Sequence, residues 1–135
     1  MIPASLRRQV ITRALNCCEY CSLSQLGQEA TFHVDHVIPL SNGGPTNLEN
    51  LALARVSCSL RKGAATIVFD SVTGQDVAIF NPRRHKWNEH FRWSDVEVVG
   101  FTPTGRGTVS HWQLNRPLIL EIRQEEKNRK RHPPI

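Results

Sequence analysis

The feature that most restricts how this chain can fold is a pair of cysteines two residues apart, Cys18 and Cys21 in CCEYC. It is answered downstream by a single cysteine, Cys58, in LARVSCSLRKG. A C-x-x-C pair is half of a zinc knuckle, and a knuckle normally needs a second such pair. Here Arg55 stands three residues before Cys58, and Ser59 follows it. The four cysteines of the chain could also make two disulfides. The N-terminus MIPASLRRQV lacks the apolar core of a secretory signal. Thiols stay reduced in the cytosol, so the expectation is a cytoplasmic protein that binds metal through the pair.

Patterning along the chain then places the elements. Residues 3–15 read as an amphipathic helix with Leu6, Val10, Ile11, Ala14 and Leu15 on one face. TFHVDHVIPL (31–40) is β-branched and partly alternating, a strand stopped by Pro39, and SNGGP is loop chemistry. Thr46 with Glu49 could be a capping box announcing a helix, whereas NLALA could equally be a short strand. TIVFD and DVAIF around SVTGQ predict a β-hairpin, and HKWNEHFRW a short amphipathic helix. VEVVGFTPTGRGT reads as a strand and a Gly/Pro turn, and the rest as helix interrupted at Asn115–Pro117, with only the last residues unstructured. At 135 residues a single domain is expected. No apolar run approaches the roughly 18–20 residues of a membrane span, so no membrane partner is expected.

The net charge of +5 is clustered: RKG at 61–63, NPRRHKW at 81–87 and the tail beyond residue 122. Clustered positive charge favours a polyanion, most simply nucleic acid. The chemistry sits in VDHVIPLSNGG, where an acid and an imidazole are adjacent at a strand end. A carboxylate is a hard ligand for a divalent cation. A neutral imidazole can take a proton from water near neutral pH. Together they suit metal-assisted phosphodiester hydrolysis.

CEYC after a helix, then VDHVIPLSNGG, NLENLALA, a cysteine and RKG, in that order and spacing, resemble the HNH endonuclease family. NPRRHKWNEHFRW and GFTPTGRGTV further resemble one group of small bacterial HNH proteins. The resemblance implies an α+β fold. Its ββα-metal core (5–65) would follow an N-terminal helix and precede an extension of hairpin and helices (66–125) and a basic tail (126–135). It also implies that NLALA is the second strand and that a helix spans about 57–65. His36 would be the general base, Asp35 the first ligand of a catalytic Mg2+ or Mn2+, and Asn50 the residue that fixes the loop orienting His36. The family's third motif residue, an Asn or His, falls on Ser59, which can still coordinate or hold a metal-bound water. The family's structural zinc would take Cys18, Cys21, position 55 and Cys58. With arginine at 55, the fourth ligand would be water, a nearby histidine or, less plausibly, Cys17. His33, on the same face of an ideal strand as Asp35, is read first as a structural histidine and second as a supplement to the catalytic metal.

Arg61 and Lys62 on the motif helix, and Arg83, Arg84 and Lys86 beside Trp87, Phe91 and Trp93, are the candidate nucleic-acid contacts, with the aromatics assigned to packing. The leading expectation is a metal-dependent endonuclease acting on DNA. Its rivals are an HNH-fold protein that binds nucleic acid but cuts weakly, not at all or only within a partner complex, and a zinc-knuckle RNA-binding module. A single site nicks one strand, so a double-strand break would call for a homodimer or a second nick.

Overall fold

The computed structural model describes residues 2–134. The chain forms two compact units, one running through Ala64 and taking in Asn81–Arg84, the other holding Ala65–Phe80 and the chain from His85 onward.

In the first unit, helix α1 (Ala4–Arg13) buries Val10 completely and ends where Leu15 and Asn16 turn to positive φ. Its last-turn Arg13 donates to the carbonyls of Leu48 (2.7 Å) and Leu51 (2.6 Å), fastening the helix to the start of a strand. Strand β1 (His33–His36) pairs antiparallel with β2 (Leu51–Ala54), with His33 opposite Ala54 and His36 opposite Leu51. All four β2 side chains are buried, and helix α2 (Val56–Lys62) follows directly. The resemblance implies this succession of hairpin and helix. Thr46 and Glu49 do not open a helix; residues 46–47 bend and 48–50 form a turn. The intervening loop depends on Gly44, where an added Cβ would lie 1.7 Å from the Ile38 carbonyl oxygen. No other residue fits that approach.

In the second unit, β3 (Ile67–Asp70) and β4 (Gln75–Ala78) form the expected hairpin. A second hairpin, β5 (Phe91–Ser94) with β6 (Glu97–Gly100), is followed by α3 (Pro103–Trp112) and α4 (Pro117–Asn128). Two expectations are corrected here. HKWNEHFRW is a single 3-10 turn (Trp87–Glu89) and then strand, because Phe91 is buried while its backbone pairs with Gly100. TPTGRGT is not a turn but the start of α3: Thr102 caps it by accepting from the Gly105 amide (2.9 Å), and Pro103 occupies its first turn. Its glycines permit contact, since a Cβ on Gly105 would sit 2.2 Å from the His90 carbonyl oxygen.

Asp70, fully buried, accepts from Arg106 Nε at 2.9 Å and Nη2 at 3.0 Å, which ties α3 to β3. The tail is more ordered than expected. Arg131 pairs with Glu126 (2.6 Å), and the His132 ring lies 4.6 Å from that of Trp93. Ile135, the end of the stretch expected to be unstructured, lies outside the described residues. The α+β class stands. Among the described residues, no helix is long and apolar enough to cross a membrane.

Candidate functional site

The knuckle between α1 and β1 is tied to β2 through Glu19, whose amide donates to Leu53 O (2.8 Å) and whose carboxylate accepts from Leu53 N (2.8 Å). This brings Cys18 and Cys21 to Cys58 on α2. The three sulfur atoms lie within 4.8 Å of one another, all in buried residues. The Arg55 amide donates to Cys18 Sγ at 3.3 Å. Burial and the neighbouring thiols push the Cys18 thiol well up, and burial dominates in pushing Cys21 up to about 12. Three crowded, dry thiols that resist ionisation are a poor resting state without a cation, and a soft divalent ion suits that donor set. The Arg55 side chain cannot complete the set, because guanidinium offers only donors. Cys17 stands apart, its thiol directed to Leu15 O at 3.5 Å.

Asp35 is held from three sides. Tyr20, inside the C-x-x-C, donates to Oδ2 at 2.6 Å, and Lys62 Nζ lies 3.4 Å from the same oxygen. Burial first, and then the Asp35 charge, raise the Tyr20 hydroxyl well above its usual pKa, so it remains a donor. Oδ1 has a different neighbour, the Ser59 hydroxyl at 2.9 Å, which brings the strand carboxylate to the helix. One oxygen is thus fixed by tyrosine and lysine, while the other shares a hydroxyl that can rotate to offer a lone pair. Beside them on β1, His33 carries a buried Nε2 with no hydrogen-bond partner among the described residues. Such an orphaned atom costs about 1–3 kcal/mol unless something satisfies it. A carboxylate oxygen and a hydroxyl in contact fit a divalent cation, and His33 stands two residues from Asp35 on the same strand.

His36 Nε2 lies 2.8 Å from Thr46 Oγ1. Buried Asn50 accepts from the Ile38 amide (2.9 Å) and donates to the carbonyls of Ile38 (3.0 Å) and Pro45 (2.9 Å), closing the loop that follows His36.

The basic residues divide. Arg61, Arg84 and Lys86 are exposed as expected. Lys62 is not a surface contact: it is 2% exposed and donates to the carbonyls of His36, Val37 and Gly63, because it lies on the inner face of α2. Arg83 is likewise turned inward, paired with Glu19, and desolvation lowers its pKa to about 10. Sequence reasoning missed Tyr20, Thr46, Glu19 and the inward Lys62. The one available signal was a tyrosine held between two cysteines.

Residues 18–65 match the family model described as HNH endonuclease. Comparisons with curated proteins and with solved structures return no match.

Proposed function

Because residues 18–65 match the HNH endonuclease family model, we propose that this chain is a metal-dependent endonuclease that hydrolyses phosphodiester bonds in DNA. The observation that carries the reading is the Asp35–Ser59 contact at 2.9 Å, which joins the strand carboxylate to the helix position of the third motif residue. A divalent cation such as Mg2+ or Mn2+ bound at Asp35 would supply Lewis-acid stabilisation of charge on the phosphate and the leaving oxygen. His36 is the general base. In the tautomer whose Nε2–H donates to Thr46 Oγ1, Nδ1 is the open nitrogen that can take the proton as water attacks phosphorus and the ester P–O bond breaks. Asn50 fixes the loop behind His36, and Lys62 positions the strand end from within. Cys18, Cys21 and Cys58 hold a zinc that fastens the knuckle to α2 and takes no part in hydrolysis. Arg61 and Arg84 on the first unit, and Lys86 on the second, meet phosphates.

The test is plasmid nicking with Mg2+ or Mn2+, with and without chelator. Wild type should nick only with the cation, and His36→Ala should bind DNA but lose nearly all cleavage. Equal nicking by both proteins would remove His36 from the chemistry.

A second reading rests on Ser59 and on Lys62 beside Asp35. Both weaken a cation site, as they would in an HNH-fold protein that binds nucleic acid without cutting it, or that cuts only within a partner complex. Cation-dependent nicking by the isolated chain decides against it.

A further inference from the structure

We propose that His33 is a ligand of the divalent cation at Asp35, supplying the nitrogen donor that Ser59 cannot. The proposal rests on the reading of Asp35 as the cation's first ligand.

His33 and Asp35 are two residues apart on β1, so both side chains project from one face of the hairpin, roughly 7 Å apart along the strand. Across from them β2 presents only the methyl groups of Ala54 and Ala52. The neighbouring strand therefore offers His33 nothing to bond and little to fill the space. Its Nε2 is nevertheless buried and has no partner among the described residues. Buried polar atoms are nearly always paired, and an exception marks a place where an ion or water belongs.

The needs of Asp35 point the same way. Its Oδ2 already carries a tyrosine hydroxyl and lies near an ammonium, whose charge opposes a second cation. Oδ1 offers one anionic contact, and the Ser59 hydroxyl is a weak neutral donor beside it. A carboxylate so compensated needs a further strong donor to retain a divalent ion. The thiol cluster does not claim His33. Among the described residues, the ligating atoms grouped within 4.8 Å there are the three sulfurs alone.

A nitrogen in the donor set changes which cation is favoured. Oxygen-only sites suit Mg2+, whereas imidazole raises affinity along the series from Mn2+ toward Co2+ and Ni2+. The site should therefore prefer Mn2+ and Co2+ to Mg2+, and the preference should depend on His33.

The experiment uses the full chain with its cysteine site loaded with zinc. Mn2+ is titrated and the free ion followed by electron paramagnetic resonance, with competition by Mg2+. In parallel, Mn2+ broadening of the His33 ring signals is recorded. His33→Gln should weaken Mn2+ binding at least tenfold, narrow the preference for Mn2+ over Mg2+ and leave zinc content unchanged. In wild type, the His33 ring should broaden at the first equivalent of Mn2+. Equal Mn2+ affinity in wild type and His33→Gln, or a sharp His33 signal in Mn2+-saturated protein, overturns the proposal. If His33→Gln does not fold, the ring signal in wild type decides alone. No Mn2+ binding by wild type brings down this proposal together with the role given to Asp35. A His33-dependent Mn2+ site in a protein that does not nick DNA upholds the ligand and defeats the nuclease reading.

Discussion

Asn50→Asp isolates what the loop behind His36 requires. The two side chains are nearly the same shape, and aspartate keeps the oxygen that accepts from the Ile38 amide at 2.9 Å. It loses both donor bonds, to Ile38 O (3.0 Å) and Pro45 O (2.9 Å), and sets a carboxylate oxygen against two carbonyl oxygens. A buried group left unmatched costs about 1–3 kcal/mol. Both carbonyls are part-buried, so the lower end applies to each, and the pair should cost about 2–3 kcal/mol. Asn50→Ala leaves the Ile38 amide unmatched too and should cost about 3–4 kcal/mol on the same scale. The two variants separate by amide exchange, because Ile38 N–H keeps its acceptor in the aspartate protein and loses it in the alanine one. Acid adds a second signature. The facing carbonyls raise the folded-state pKa of the new carboxyl above its unfolded value near 4. The ionic part of the penalty is then absent below the unfolded pKa, where the acid is protonated in both states, and grows as pH rises from there to the folded pKa. The second donor bond, which a single O–H cannot replace, is lost at every pH. Denaturant midpoints for Asn50→Asp within about 0.5 kcal/mol of wild type at neutral pH, a surface-like effect, would refute the argument.

Lys62→Met should destabilise the protein by about 3 kcal/mol in denaturant melts, since removing one partner of a buried pair leaves the Asp35 carboxylate with two hydroxyl donors but no counter-charge. It should not change the salt dependence of DNA binding, whereas Arg61→Ala should flatten the log–log slope by about 0.9. Zinc analysis of purified protein should give about one tightly held ion per chain, and Arg55→Cys should slow its removal by chelator and raise thermal stability, because metal binding feeds into folding. Arg106 holds the Asp70 carboxyl well below its usual range, so that contribution is present above the unfolded value near 4 and is lost as pH falls through the lower folded value. Melting temperature should therefore drop in strong acid, and Asp70→Asn should flatten that drop.

The sequence was most informative where chemistry and spacing coincide. The C-x-x-C pair is legible as metal-binding because thiol spacing is tied to coordination, whereas Cys58 joins it, and NLALA becomes a strand, only through the family resemblance. Propensity misled where packing decided. Trp87 and Phe91 are four apart, as on a helix, yet Phe91 and Trp93 alternate on β5, with Phe91 buried and Trp93 half-buried. TPTGRGT holds two glycines and a proline, the composition of a turn. Those glycines are needed because α3 approaches its neighbours closely, and a Cβ on Gly107 would lie 2.6 Å from Val68 Cγ2. Lys62 and Arg83 read as surface charge because a sequence cannot say which way a long side chain bends. The His36 and Val37 carbonyls that hold Lys62 and the Glu19 carboxylate that holds Arg83 lie well away along the chain, and only the fold brings them within reach.

The four residues Asn81–Arg84 belong to the first unit although their neighbours in sequence on both sides belong to the second. Through Arg83 they return a cation to Glu19, the residue that ties the cysteine knuckle to β2. Arg13, upstream of residues 18–65, clasps the loop that leads into β2. A segment excised at those family boundaries would therefore carry every chemical group of the site but neither clamp. Glu19 would face a half-buried position without its counter-charge, and two carbonyls would open to water. The motif is contiguous in sequence but not portable. Transplanting it into another host would mean transplanting two arginines from outside its borders, one from each side.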